Sequence, residues 1–448
     1  MAEARVEVLR RLARRGANPQ LQRALQKSRP VDIAAALGHL PPSEQRRLFL
    51  LLPVSEETAE VLFRLDQRDL EPLVRQLPFD RLVKLLDLME PDDEADVIER
   101  LPLELKDKVL AAIQKEDKVL VEDILAWPED SAGGIMQPIA FRLREDSTCR
   151  DAIAALHDQQ DRLENIFYVY VENEDEQLVG VTSLRALLSH PPATPLKDIM
   201  TVDLIKVSPL DDQEEVARIA SRYDLLAVPV VDENLHLLGI VTIDDVIDVI
   251  KEEALEDMML MAGVPDEPDP HAGGIFKAAR QRFTWLLVTL FGGIGMAEVI
   301  GIFENALAKQ AILAGFIPVM LGTGGNVGIQ AATVAVRNIA MGTDANTPLL
   351  SAVFRETRVG LLLGLGFATA LGAYSLLRWW DTPLIGLAIA NSILATVVVA
   401  AGVGTLVPLT LHRLSIDPAV ATGPFVTTTI DLIAVLIYFT TAVAVLGL

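Results

Sequence analysis

The chain has 448 residues, 51% of them hydrophobic, and a formal net charge of −23. The charge is unevenly spread: residues 1–270 hold 55 of the 62 acids and 30 of the 39 Lys+Arg, a net of −25, whereas residues 271–448 hold 7 and 9, a net of +2. An acidic soluble half followed by a nearly charge-free apolar half argues against nucleic acid as a partner, because phosphate binding needs a basic footprint. The single cysteine, Cys149, leaves no internal disulfide framework and fits a reducing compartment.

The N-terminus carries Arg10, Arg11, Arg14 and Arg15 with no apolar core after them, unlike a secretory signal. From about residue 20 to 127 the apolar positions recur at three and four, with no alternating β-runs. Leu-Pro steps at Leu52-Pro53, Leu77-Pro78 and Leu101-Pro102 lie roughly one helical hairpin apart, and proline suits the first turn of a helix. The spacing predicts an all-α superhelical array. It carries an acidic cluster, Glu90, Asp92, Asp93, Glu94 and Asp96, and a charge run of this kind taken alone is usually a solvated helix start.

Residues 133–250 contain a duplication. Gly134-Ile135-Met136 answers Asp198-Ile199-Met200, Phe167–Val171 answers Ala227–Val231, and Leu178–Thr182 answers Leu238–Thr242. This repeated strand and helix pattern resembles a tandem CBS pair. The resemblance implies an adenine nucleotide such as ATP as a second ligand, with Thr242 and Asp245 of the Thr242-x-x-Asp245 step at its ribose and phosphate.

The connection that follows is the sharpest soluble signal. On a helix, Asp244, Asp248, Glu252 and Glu256 stack at i,i+4, and Asp245, Glu253 and Asp257 form an adjacent row. Like charges at that spacing repel by a few tenths of a kcal/mol per pair. Lys251 is the only cation nearby in sequence, so packing of this segment calls for an external cation, and hard divalent ions with oxygen ligands fit. A solvated acidic helix is the bland alternative. Asp417, in the loop before the last apolar stretch, falls on the same inner face of the membrane.

Five apolar stretches follow, roughly 283–303, 311–340, 359–377, 384–411 and 423–447. Each is near or above the ~20 residues that cross a bilayer. Lys277, Arg280 and Arg282 put the acidic half in the cytoplasm, and Arg337, Arg355, Arg358 and Arg413 then fall inside while Lys309 and Arg378 fall outside. The chain is thus expected in the cell (inner) membrane, with its C-terminus outside. In the second stretch, Pro318 and the glycines of Gly322–Gly328 can interrupt the helix and line a cavity, and each glycine reads equally as a point of close helix packing. Asn326 and Gln330, one turn apart, favour pore lining. Asp431 lies about two turns inside the last stretch, where a lone carboxylate faces a bundle interior or a watered path; an intramembrane hydrogen bond is the alternative.

The whole arrangement, with the runs Gly423-Pro424-Phe425-Val426-Thr427-Thr428-Thr429-Ile430-Asp431 and Gly324-Gly325-Asn326-Val327-Gly328-Ile329-Gln330, resembles the MgtE-type magnesium channels. The fold expected is a multi-domain membrane protein: an all-α superhelical N-terminal domain (1–128), an α/β tandem CBS pair (129–243), an acidic connecting helix (244–270) and a five-helix transmembrane domain (271–448). The resemblance implies a homodimer with the pore on its two-fold axis, Mg2+ carried past Asp431, and regulatory Mg2+ sites at Glu214, Asp224, Asp245, Asp248, Glu253, Glu256, Asp257 and Asp417. Asp92 and Asp93 would face the CBS pair. Mg2+ bridging these parts would close the pore, and their repulsion without Mg2+ would open it. A CBS-regulated transporter of another cation or solute, gated by nucleotide, is the competing reading. An enzyme is disfavoured: no Walker loop, Gly-x-Ser-x-Gly or His/Cys metal cluster is present, and the six histidines are scattered.

Overall fold

The computed structural model describes residues 2–15, 18–158, 166–264, 274–341, 348–414, 416–419 and 423–448. It divides into two compact units, Met1–Glu253 and Ala254–Leu448.

The first unit begins with short helices between Ala2 and Ile124. Their apolar stripes meet in one leucine-rich core that includes Leu37, Leu48, Leu62, Leu73, Leu85 and Ile98. Prolines start the turns from slightly different places than the sequence suggests. Pro30, Pro42 and Pro91 occupy the first helical turn, while Pro78 and Pro102 sit just ahead of the helices Phe79–Leu86 and Leu103–Leu110. In the Leu-Pro steps it is the leucine, Leu52, Leu77 or Leu101, that is buried. Arginines then tie neighbouring hairpins together. Arg81 Nη2 donates to Leu52 O at 2.6 Å, and Arg100 donates to Phe63 O at 3.0 Å and Leu65 O at 3.2 Å. These bonds satisfy carbonyls that the ends of short helices leave without intrahelical partners.

The duplicated segment folds as two sheet units. In the first, β1 (Arg142–Arg144) pairs parallel with β2 (Tyr168–Glu172), which pairs antiparallel with β3 (Leu178–Ser183). In the second, β4 (Ala227–Val231) pairs antiparallel with β5 (Leu237–Thr242), and Val207 bridges Val230 in parallel. The repeats interlock. Met200 packs on Gly180 of the first repeat and Met136 on Gly239 of the second, so a Cβ at Gly239 would lie 3.0 Å from Met136 Sδ. Tyr170, Leu178, Ala227, Leu237 and Ile240 form a core shared by both. The acidic helix follows without a break as Ile243–Met261; the tail 265–270 of the expected connecting segment lies outside the described residues.

Among the described residues the second unit has five helices long and apolar enough to cross a membrane: Gly274–Ile302, Ile317–Ala340, Leu349–Arg378, Pro383–Arg413 and Pro424–Leu446. The fourth is central and packs on the second, third and fifth, while the first lies against the fifth. Of the two readings of the second span, interruption does not occur. A short 3-10 turn, Ala311–Phe316, precedes it, Pro318 sits in its first turn, and the helix runs unbroken through its glycines. Proline is tolerated in a first turn because its missing N–H has no intrahelical partner there. Near this end, Tyr438 O–H donates to Leu313 O at 2.8 Å, and Trp379 packs edge-on against Phe316.

Candidate cation sites

In the membrane unit, helix approach is set by the glycines of the second span. A Cβ at Gly324 would lie 2.9 Å from Thr396 Cγ2, Ile430 crosses Gly328, and Gly404 rests on the Gly328 backbone. Bare backbone at these points lets the fourth and fifth helices come close, which is the packing alternative for these glycines. Gly325 is different, because its neighbour is a carboxylate: a Cβ there would lie 3.3 Å from Asp431 Oδ1. Asp431 is half-buried, and among the described residues no hydrogen bond reaches it. Among the described residues, then, no intramembrane hydrogen bond holds it. Of the nearby threonines, Thr427 donates to Gly423 O at 2.9 Å and Thr428 packs its methyl over Gly292.

Asn326 and Gln330 lie on a face of the second span that this chain leaves exposed, in line with Gly322, where an added Cβ would meet no neighbouring helix within 4 Å among the described residues. At the start of the fifth helix, Gly423 and Pro424 pack on the end of the acidic helix, where Gly263 takes φ +71° and its N–H bonds Leu260 O at 2.9 Å. Asp417 is exposed, and its Oδ1 accepts from Ala419 N–H at 2.7 Å in a tight local turn.

In the first unit the acidic cluster of the N-terminal array and the start of the acidic helix come together. The helix Pro91–Glu99 buries Asp92, which is 9% exposed, with no hydrogen bond to its Oδ1 among the described residues. Burial, then the charges of Asp93, Asp245 and Glu90, hold the Asp92 carboxyl well above the usual range. Burial and the Asp245 charge push Asp93 up to about 7. Asp245 is raised to about 6 by burial, against the Thr242 hydrogen bond that lowers it. Removing carboxylates from water while aiming them at one another disfavours their charged forms. A divalent cation reverses that balance.

The other expected ligands are distributed less evenly. Asp248 is exposed and accepts from Lys251 Nζ at 2.6 Å. Glu253 accepts from Gln213 Nε2 at 2.6 Å, which sets it beside the helix Gln213–Tyr223. Glu214 and Asp224 sit at opposite ends of that helix, both exposed, with Asp224 capping it at φ 52°. Glu256 and Asp257 lie on the last turns of the acidic helix, in the second unit. Thr242 Oγ1 lies 2.5 Å from both Asp244 Oδ1 and Asp245 Oδ2, so the hydroxyl expected at a ribose is already engaged. Among the described residues no three His, Cys, Asp or Glu side chains converge as a complete metal cage. Paired carboxylates that leave most positions to water suit Mg2+, which dehydrates reluctantly.

Lys251 is not the only cation at this cluster. Arg100 lies near Asp93, Asp96, Glu129 and Glu252, and Arg64 near Asp93. Both come from the helical array, too far away in sequence for a reading of the acidic helix to find them. Gln137, whose Nε2 donates to Glu90 Oε2, was equally hidden.

The chain matches the MgtE divalent cation transporter family over residues 317–441, the MgtE intracellular N domain over 28–130 and the CBS domain over 196–252. The magnesium transporter MgtE of Bacillus subtilis is 33% identical over 435 residues, covering 97% of this chain and 95% of its own length. That of Thermus thermophilus is 34% identical over 453 residues, covering 99% and 98%. Two solved structures resemble the soluble part. The cytosolic domain of the Mg2+ channel MgtE in complex with ATP has a TM-score of 0.52 at 33% identity, covering 55% of this chain and 99% of that one. The soluble part of a magnesium transporter has a TM-score of 0.51 at 29% identity, covering 57% and 100%. With the helical array, the interlocked repeats, five helices long and apolar enough to cross a membrane and Asp431 on the last of them, these matches place the chain in the MgtE family of magnesium transporters.

Proposed function

We propose that this chain imports Mg2+ along a path lined by Asp431 and closes that path when Mg2+ binds its cytosolic part. The observation that carries the reading is the Asp431 carboxylate, set two turns inside an otherwise uncharged helix, over Gly325 and without a hydrogen bond among the described residues. A carboxylate so placed draws a cation, and one that keeps its waters is held without a full protein cage. The exposed line of Gly322, Asn326 and Gln330 supports a homodimer that brings two such faces, and two Asp431 carboxylates, to one axis.

On the cytosolic side, Asp92, Asp93 and Asp245 are the proposed sensor, with Asp248, Glu253, Glu214, Asp224, Glu256, Asp257 and Asp417 as further ligands. Mg2+ favours the docked state by neutralising carboxylates that would otherwise repel, and feedback requires only tighter binding to that state. ATP is proposed as a second ligand of the CBS pair, supported by the similar cytosolic domain solved with ATP.

The test is Mg2+ flux into liposomes, native chain against Asp431→Ala, with Mg2+ varied on the face bearing the soluble part. Flux that needs Asp431 and stops as inner-face Mg2+ rises supports both halves of the reading. A native chain that carries no Mg2+ under any condition refutes the path, and flux indifferent to inner-face Mg2+ refutes the sensor.

A further inference from the structure

Gln137 sits at the edge of the second repeat, fixed by its backbone. Its N–H donates to Ile240 O at 2.7 Å, and its O accepts from Ile240 N–H at 2.9 Å. Its side chain is buried, and Nε2 donates to Oε2 of Glu90, the residue just ahead of the helix Pro91–Glu99. Here a carboxylate of the helical array meets a neutral amide of the CBS part. Next to it, Asp92 and Asp93 lie within the field of the Asp245 carboxylate, like charge against like charge. The two kinds of meeting respond differently to Mg2+. The carboxylate pairs need a cation before they attract. The amide needs none, and a hydrogen bond to a charged acceptor is stronger than one between neutral groups. Ile240 lies in β5, which runs directly into Thr242 and the acidic helix, so Gln137 is anchored to the same strand that places Asp245.

We propose that the Gln137–Glu90 bond is a cation-independent latch that sets the Mg2+ concentration at which the helical array docks on the CBS pair. This rests on the Mg2+-sensor reading above. In a two-state equilibrium, a contact made only in the docked state moves the midpoint of the Mg2+ response without changing how many ions bind. Gln137 is thus a positioning residue for the sensor, not a ligand.

The test is a double-mutant cycle on the full chain in detergent, reading protection from protease across a Mg2+ titration. Gln137→Leu is expected to raise the midpoint roughly two- to fivefold with the same steepness. In a Glu90→Ala background the same change is expected to do nothing further, because its partner is gone. Gln137→Asn, whose shorter amide keeps polarity but loses reach, is expected to behave like the leucine and guards against a folding defect in it. Full protection of every variant at saturating Mg2+ reports an intact fold. An unchanged midpoint in Gln137→Asn, or equal effects of Gln137→Leu with and without Glu90, overturns the latch. A native chain showing no Mg2+-dependent protection overturns the sensor reading instead.

Discussion

Pro424 packs on Gly263 so closely that a Cβ at Gly263 would lie 2.7 Å from Pro424 Cδ. Gly263 is the left-handed residue that ends the acidic helix, and Pro424 begins the helix that carries Asp431. The end of the acidic helix therefore bears directly on the start of the path helix. Gly263→Ala adds an overlap with Pro424 and a left-handed backbone cost of about 1–2 kcal/mol. On the proposed feedback, the expected outcome is a pore that no longer follows the cytosolic part, read as more residual Mg2+ flux at high inner-face Mg2+ than in the native chain.

Asp92→Asn removes a buried carboxylate whose Oδ1 has no hydrogen bond among the described residues, while keeping its shape. Docking is expected to occur at lower Mg2+ and to depend on it less steeply, because one repelling charge and one ligand disappear together. Protease protection of the full chain against Mg2+ measures both the midpoint and the slope.

Docking without Mg2+ should depend on pH. Burial pushes Asp93 up to about 7 and Asp245 to about 6 in the docked arrangement, above ordinary carboxylates. The docked state binds these protons more tightly, so its stability is greatest below the ordinary carboxylate range and is lost as pH rises through 6 and 7. In chelator, protease protection is expected to grow as pH falls from 8 to 5. Protection that stays flat over this range contradicts the assignment of these two groups.

Gly404 rests on the Gly328 backbone, with a Cβ there only 3.1 Å from Gly328 Cα. Gly404→Val forces the central helix away from the second span, and overpacking of this kind costs typically ~1–3 kcal/mol. A lower melting temperature in detergent is expected, whereas Gly322→Ala, in open space in the single chain, is expected to leave the melting temperature of the monomer unchanged.

Much of this protein is decided locally. The division of charge, the five spans, the short-helix array and the duplicated strands follow from patterns a few residues long, because burial periodicity and membrane length act on contiguous sequence. Asp431 is legible for the same reason: a single carboxylate in an apolar run has no local explanation. The continuity of the second span is not, since a glycine run reads equally as a break or as a packing surface until Ile430 and Gly404 are seen against it. The proposed sensor is likewise only half written in sequence. The acidic rows of Ile243–Met261 are visible, but Asp92, Asp93 and Arg100 reach them from residues more than a hundred positions away, and Gln137 meets Glu90 beside them. Coulomb interaction and desolvation depend on distance and burial in space, so which carboxylates face one another, and which cation already stands among them, was decided only when the array, the repeats and the acidic helix packed together.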